Sequence, residues 1–157
     1  SGDGRGGGGG GGDKPQTPDK WLDCEKLKKL GISKTSLNRM KSTMASANYG
    51  ANLLEVGYSY YSGGYADGLP GTSTDGRPYI KLPIPYKPYR GIPGHTFHVH
   101  PSDGWSPWPS REDKAMAKDW YGGQHFVGSS QYLIHYNSKK TNGTILGVGN
   151  WWEVDCP

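Results

Sequence analysis

Long apolar runs are missing from this sequence. None approaches the ~18 residues that cross a bilayer, so no membrane span is expected. The first residues are glycine and charge, which is not the pattern of a signal peptide. An initiating methionine is also missing. With the glycine-rich leader, that fits a module carried at the C-terminal end of a larger protein. A large charge excess is missing too: the formal net charge is +4. Much of it sits at Lys26, Lys28, Lys29, Lys34, Arg39 and Lys41. The favoured reading is a solvated helix face; no DNA or RNA motif accompanies it, so a nucleic-acid partner is not expected. There is no internal repeat.

Cysteine is scarce. The two present, Cys24 and Cys156, lie near the two ends of the folded part. A disulfide between them would close a very long loop and stabilise the fold in the chain-entropy picture. It would require an oxidising compartment. Two partly buried thiols are the other reading, and both stay open at this point.

Apolar residues make up only 32% of the 157, whereas glycine occurs 26 times. Residues 1–20, SGDGRGGGGGGGDKPQTPDK, have nothing to bury and read as a flexible linker. Residues 21–157 suffice for a single domain. A first helix is expected in PDKWLDCEKLKKLG, with Asp19 as cap, Leu22, Leu27 and Leu30 as its stripe and Gly31 as its stop. A second follows in SKTSLNRMKSTMASAN, capped by Ser33 or Ser36, with Leu37, Met40 and Met44 on one face. NLLEVGYSYYSGGY switches to period two and predicts a strand that contains Glu55. ADGLPGTSTDGRP reads as a loop. The four prolines of YIKLPIPYKPYRGIPG rule out a central strand there. HTFHVHP reads as a strand, PSDGWSPWPS as a loop and SREDKAMAKDWYGG as a helix. QYLIHYN and TILGVGNWWEV close the chain as two strands joined at SKKTNG. The expected class is α/β or α+β, with one mixed or antiparallel sheet flanked by helices.

The chemistry concentrates around residue 100. Side chains two apart on a strand share a face, so His98 and His100 point one way and Phe97 and Val99 the other. His95 is out of phase with the pair and reads as a bystander. Ser110 and Asp113 have the spacing of a capping box, with Ser110 as N-cap and Asp113 at the third helical position. A helix start also aims an aspartate rigidly. Two imidazoles and a carboxylate can hold Zn2+ and leave one position open. Glu55 is the carboxylate available as a base.

This set resembles the JAMM (MPN+, JAB-like) metallopeptidases: Glu55 in LLEVGYSYY, then His98-Val99-His100-Pro101, then Ser110-Arg111-Glu112-Asp113 at a helix start. The resemblance covers roughly residues 33–154. The loop between His100 and Ser110, PSDGWSPWP, is longer than is usual for the family. The resemblance implies a JAB/MPN-like fold, with His98, His100 and Asp113 as zinc ligands. It implies Glu55 as general base and then acid, and Ser110 as a hydroxyl donor to the oxyanion. It implies peptidase or isopeptidase activity on a protein or peptide substrate. A JAB-like branch forms C-terminal toxin domains of large secreted bacterial proteins. A secreted or delivered module, with a cognate immunity protein as partner, is therefore also expected.

Three other readings compete. The chain could be a non-catalytic binding module of the same fold, or a metal-dependent nuclease toxin suggested by H-x-H and the basic helices. A cysteine hydrolase built on Cys24 would need a thiolate beside a base, and Cys24 is expected inside a Lys-rich helix rather than at its start. His125 and His135 have no ligand partners nearby in sequence and read as structural or surface residues. Of Trp151 and Trp152, one is expected in the core and one over a surface.

Overall fold

The computed structural model describes residues 20–102 and 104–157. The glycine-rich stretch and the expected cap Asp19 lie outside these residues. Lys20, expected to end the linker, instead begins the first strand, β1 (Lys20–Leu22). The first helix is correspondingly shorter than expected. α1 (Cys24–Lys29) is capped by Asp23, whose side chain accepts the Lys26 amide at 3.1 Å. α2 (Lys34–Ser46) follows the sequence closely: Ser33 is its cap, and Leu37, Met40 and Met44 are buried.

A hairpin of β2 (Gly57–Tyr61) and β3 (Gly64–Asp67) comes next. The stretch expected as a loop then holds β4 (Leu69–Thr72), which pairs with β5 (Pro78–Lys81) in a separate two-stranded ribbon. After the proline-rich segment run β6 (Gly94–Val99), α3 (Arg111–Asp119), β7 (Gly123–Gly128), β8 (Tyr132–Tyr136) and β9 (Thr144–Gly149). The main sheet has the order β1-β9-β8-β7-β6-β2-β3. Only β6 and β7 pair in parallel; every other pair is antiparallel. The domain is thus a single small α+β unit with a mixed sheet.

β7 is a strand the sequence did not announce. The helix expected over SREDKAMAKDWYGG ends earlier, at Asp119 with Trp120 as its C-cap, and Gly123 is already the first residue of the next strand. The helix between β6 and β7 is the crossover that a parallel pair requires. His125, on β7, is fully buried: its Nδ1 lies 2.9 Å from Thr96 Oγ1, and its Nε2 is 3.2 Å from the Trp120 carbonyl. His135 is also buried, with Nε2 2.6 Å from Gln124 Oε1.

The sheet has an apolar layer on each face. Phe97, Val99, Tyr58, Phe126, Leu133 and Trp151 pack with Leu27, Leu37, Met40 and Met44 of α1 and α2. Val127, Ile134 and Tyr136 pack on the other side with Ala117 of α3. Trp151 is wholly buried, while Trp152 is partly buried and stacks on Tyr49 at 5.1 Å. Cys24 and Cys156 form a disulfide that spans 132 residues and ties α1 to the C-terminus. Cys24 stands at the start of α1 rather than inside it, but its sulfur is bonded, so it offers no thiolate nucleophile.

Candidate metal centre

Three backbone segments build the site. β6 supplies the first. His98 and, just beyond its end, His100 project from the face opposite Phe97 and Val99, as the period-two rule requires. The two Nε2 atoms are 3.1 Å apart and both residues are buried. His95 belongs to the opposite face, beside Tyr58 and Phe126. It takes no part in the cluster.

The start of α3 supplies the second. The capping box is complete: Ser110 Oγ accepts the Asp113 amide at 3.0 Å, and Asp113 Oδ2 accepts the Ser110 amide at 2.9 Å. The same Oδ2 lies 3.2 Å from His100 Nε2, while Oδ1 lies 3.3 Å from His98 Nε2. The cap therefore fixes a carboxylate that faces both imidazoles.

The third segment corrects the sequence reading. Glu55 is not inside a strand; it precedes β2 by two residues. The reason lies upstream, where Asn48, Tyr49 and Gly50 adopt φ of 50°, 55° and 93° and turn the chain sharply after α2. The Gly50 carbonyl accepts both the Ser102 amide (2.8 Å) and the Ser102 hydroxyl (3.0 Å), binding this turn to the loop after His100. β2 starts at Gly57 because its backbone runs hard against His98. A Cβ on Gly57 would sit 2.3 Å from the Phe97 carbonyl oxygen and 2.6 Å from His98 Cβ. Glu55 Oε1 ends 3.9 Å from His98 Nε2, with its side chain only 13% exposed. Glu55, His98 and His100 each place a donor atom within 4.8 Å of the other two, so this group could hold a metal ion.

The donor set fits such an ion. His100 Nδ1 lies 2.9 Å from the Ser106 carbonyl, which can only accept, so that nitrogen carries a proton and Nε2 is the ring atom turned to the cluster. Nε2 faces Asp113 Oδ2, an acceptor, and with Nδ1 protonated a neutral ring is itself an acceptor there. Two acceptors in contact require a proton or a cation between them. The contacts among His98 Nε2, His100 Nε2 and the two Asp113 oxygens measure 3.1, 3.2 and 3.3 Å. Ligands in a tetrahedron with bonds of about 2.0–2.1 Å are spaced about 3.3–3.4 Å apart. Imidazole and carboxylate donors also suit zinc.

Electrostatics couple the cluster. Burial pushes the His98 imidazole down, but Asp113 and then Glu55 outweigh it, and the net direction is up. For Asp113, burial raises the pKa and the surrounding imidazoles reverse it, leaving the carboxyl well below its ordinary value. Glu55 moves the other way: burial raises its pKa, and the attraction of His98 and His100 offsets this only in part. One side of the cluster thus holds a firmly ionised carboxylate and the other a carboxyl that binds a proton more readily.

All five residues expected from sequence lie in this neighbourhood: His98, His100, Asp113 and Glu55 in contact, and Ser110 capping the helix beside them. Ser110 Oγ accepts an amide and keeps its own O–H to donate. Other participants had no sequence signal. The Ser106 carbonyl belongs to a loop whose path sequence does not set. Arg77, on the β4–β5 turn, reaches Glu112 at 3.4 Å and acts electrostatically on Glu55. Buried Tyr136 Oη and His98 Nδ1 have no hydrogen-bond partner among the described residues. No protein-family model matches the chain, and neither curated proteins nor solved structures give a significant match.

Proposed function

We propose that the chain is a zinc-dependent hydrolase of amide bonds, a peptidase or isopeptidase in the manner of the JAMM enzymes it resembles. The observation that carries this reading is the convergence of His98, His100 and Asp113 at 3.1–3.3 Å, with Glu55 beside them. His98 Nε2, His100 Nε2 and the Asp113 carboxylate would hold the ion. Bound there, zinc supplies Lewis acidity, lowering the pKa of water towards neutrality and polarising a carbonyl.

The chain's own groups do the rest. Glu55 is aimed at the cluster and its proton affinity is raised by burial. It takes a proton from the attacking water as the oxygen bonds to the carbonyl carbon. When the C–N bond breaks, Glu55 returns that proton to the leaving amine. Ser110 directs its O–H at the oxygen that gains negative charge. The His100–Ser106 hydrogen bond keeps the imidazole in the right tautomer. The disulfide suits a chain that passes through an oxidising compartment, in keeping with a secreted or delivered module.

The test is hydrolysis of a protein substrate such as denatured casein by zinc-loaded protein. Glu55→Gln should lower the rate by about 10²–10⁴-fold while zinc stays bound. Equal rates in the two proteins would remove Glu55 from the mechanism. Cleavage of plasmid or RNA in parallel incubations, with casein intact, would favour a nuclease instead.

A further inference from the structure

We propose that the chain has a second, separate binding site, for a small uncharged planar molecule with a hydrogen-bonding edge of the kind a nucleobase carries. A cavity of about 370 Å³ is lined by His95, which stands on the sheet face opposite His98 and at the other end of β6. That volume is at the small end of the range for ligand cavities, about 300–1,000 Å³. Three of the lining side chains stand abreast on neighbouring strands: Tyr60 of β2, His95 of β6 and Gln124 of β7. Leu30 and Gly31, in the turn between α1 and α2, also line it. A Cβ on Gly31 would meet nothing within 4 Å, so there is open space at that rim.

The row carries hydrogen-bonding capacity that the fold does not use. His95 is only 4% exposed, and its Nε2 has no hydrogen-bond partner among the described residues. Buried polar atoms are rarely left so. Burial holds the His95 pKa down to about 4, so at neutral pH the ring is uncharged, with one N–H to donate and one lone pair to accept. Gln124 Oε1 is taken by His135 Nε2 at 2.6 Å and Asn137 Nδ2 at 3.1 Å, which leaves the amide NH2 to donate. The Tyr60 ring lies 5.3 Å from the His95 ring at 34°, and the pair offers a flat molecule an aromatic surface. No ionised side chain is among the described residues that line the cavity, so a charged ligand would lose its hydration without compensation. A flat, uncharged ring with an acceptor for Gln124 next to a donor or acceptor for His95 matches these groups, and that is the edge of a nucleobase.

The test titrates the full ¹⁵N-labelled chain with uracil, cytosine and adenine, each up to its solubility limit. Toluene, a ring without a polar edge, and benzoate, a charged ring, serve as controls. The readout is the amide signals of Gly31 and Gly94 and the side-chain NH2 of Gln124. At least one base should shift these signals together and saturably, with both controls at least about tenfold weaker, the effect of one or two hydrogen bonds. His95→Phe keeps an aromatic ring beside Tyr60 and removes both nitrogens. Gln124→Met keeps the length of the side chain and removes the NH2. Each should weaken the best base at least about tenfold, and Gln124→Met decides the matter if His95→Phe does not fold; its readout is the two glycine amides. Three outcomes overturn the proposal: no base moves these signals, a control binds as tightly as the best base, or a folded variant keeps the wild-type affinity. The site lies apart from the zinc ligands, so the result stands whether or not the protein hydrolyses amides.

Discussion

Asp113 and Ser110 exchange two hydrogen bonds, Oδ2 accepting the Ser110 amide at 2.9 Å and Oγ accepting the Asp113 amide at 3.0 Å. The exchange starts α3 and, in the same geometry, leaves Oδ1 3.3 Å from His98 Nε2. Stability and metal binding can therefore be separated at these two positions. Ser110→Ala should cost about 1 kcal/mol of folding free energy and leave zinc affinity within about tenfold, since it alters only the support of a ligand. Asp113→Asn keeps a capping oxygen but removes the charge. It should weaken zinc by more than about 100-fold, beyond the usual effect of a supporting residue. Calorimetric titration of both variants checks the pair.

The Cys24–Cys156 bridge closes a span of 132 residues. Chain-entropy arguments put such a loop near 5 kcal/mol, and native bridges typically contribute about 2–5 kcal/mol. A Cys24→Ser, Cys156→Ser double variant should unfold at distinctly lower urea, by an amount equal to that of the wild type under reducing conditions. The reductant should leave the variant itself unaffected.

Acid should destabilise the fold through three buried histidines. Burial holds His95, His125 and His135 down to a pKa of about 4, from an ordinary 6.5. Below pH 6.5 the unfolded chain takes up protons on these rings and the folded chain does not. The stability that these three rings contribute is therefore complete above about pH 7 and falls as pH drops from 6.5 towards 4, where the folded rings also titrate; His98, whose pKa is shifted up, acts in the opposite sense. At pH 5 the loss should be of order 1–2 kcal/mol for each histidine. Urea midpoints at pH 7.5 and pH 5 test this, and His135→Gln should shrink the difference between them.

Gly57 lets β2 approach His98. With the Phe97 carbonyl oxygen 2.3 Å from where a Cβ would sit, Gly57→Ala has to push β2 away from β6. Displacements of that kind typically cost about 1–3 kcal/mol. Because Glu55 hangs on the same backbone, turnover should fall further than stability predicts, with zinc content near that of wild type. A kcat loss matched by that of an equally destabilised core variant would contradict this link.

How much of this was legible in the sequence depends on the range of the interaction. The H-x-H face and the Ser110–Asp113 box follow from local periodicity and capping, and the structure has both. Glu55 was legible as a residue but not as a place. Its position depends on three successive left-handed residues at 48–50, and nothing marks Tyr49 for that conformation. β7 was missed because GQHFVG has no clean alternation; its pairing with β6 is a long-range contact. Asp23 replaced Asp19 as cap because Trp21 and Leu22 extend the sheet instead of the helix.

The central claim is that His98, His100 and Asp113 bind zinc with Glu55 alongside. Metal content after exhaustive dialysis against trace zinc tests it most directly, with wild type compared with the His98→Ala, His100→Ala double variant. The account predicts about one zinc per wild-type chain and essentially none in the variant. A wild-type protein without zinc, or a variant that retains it, would contradict the account.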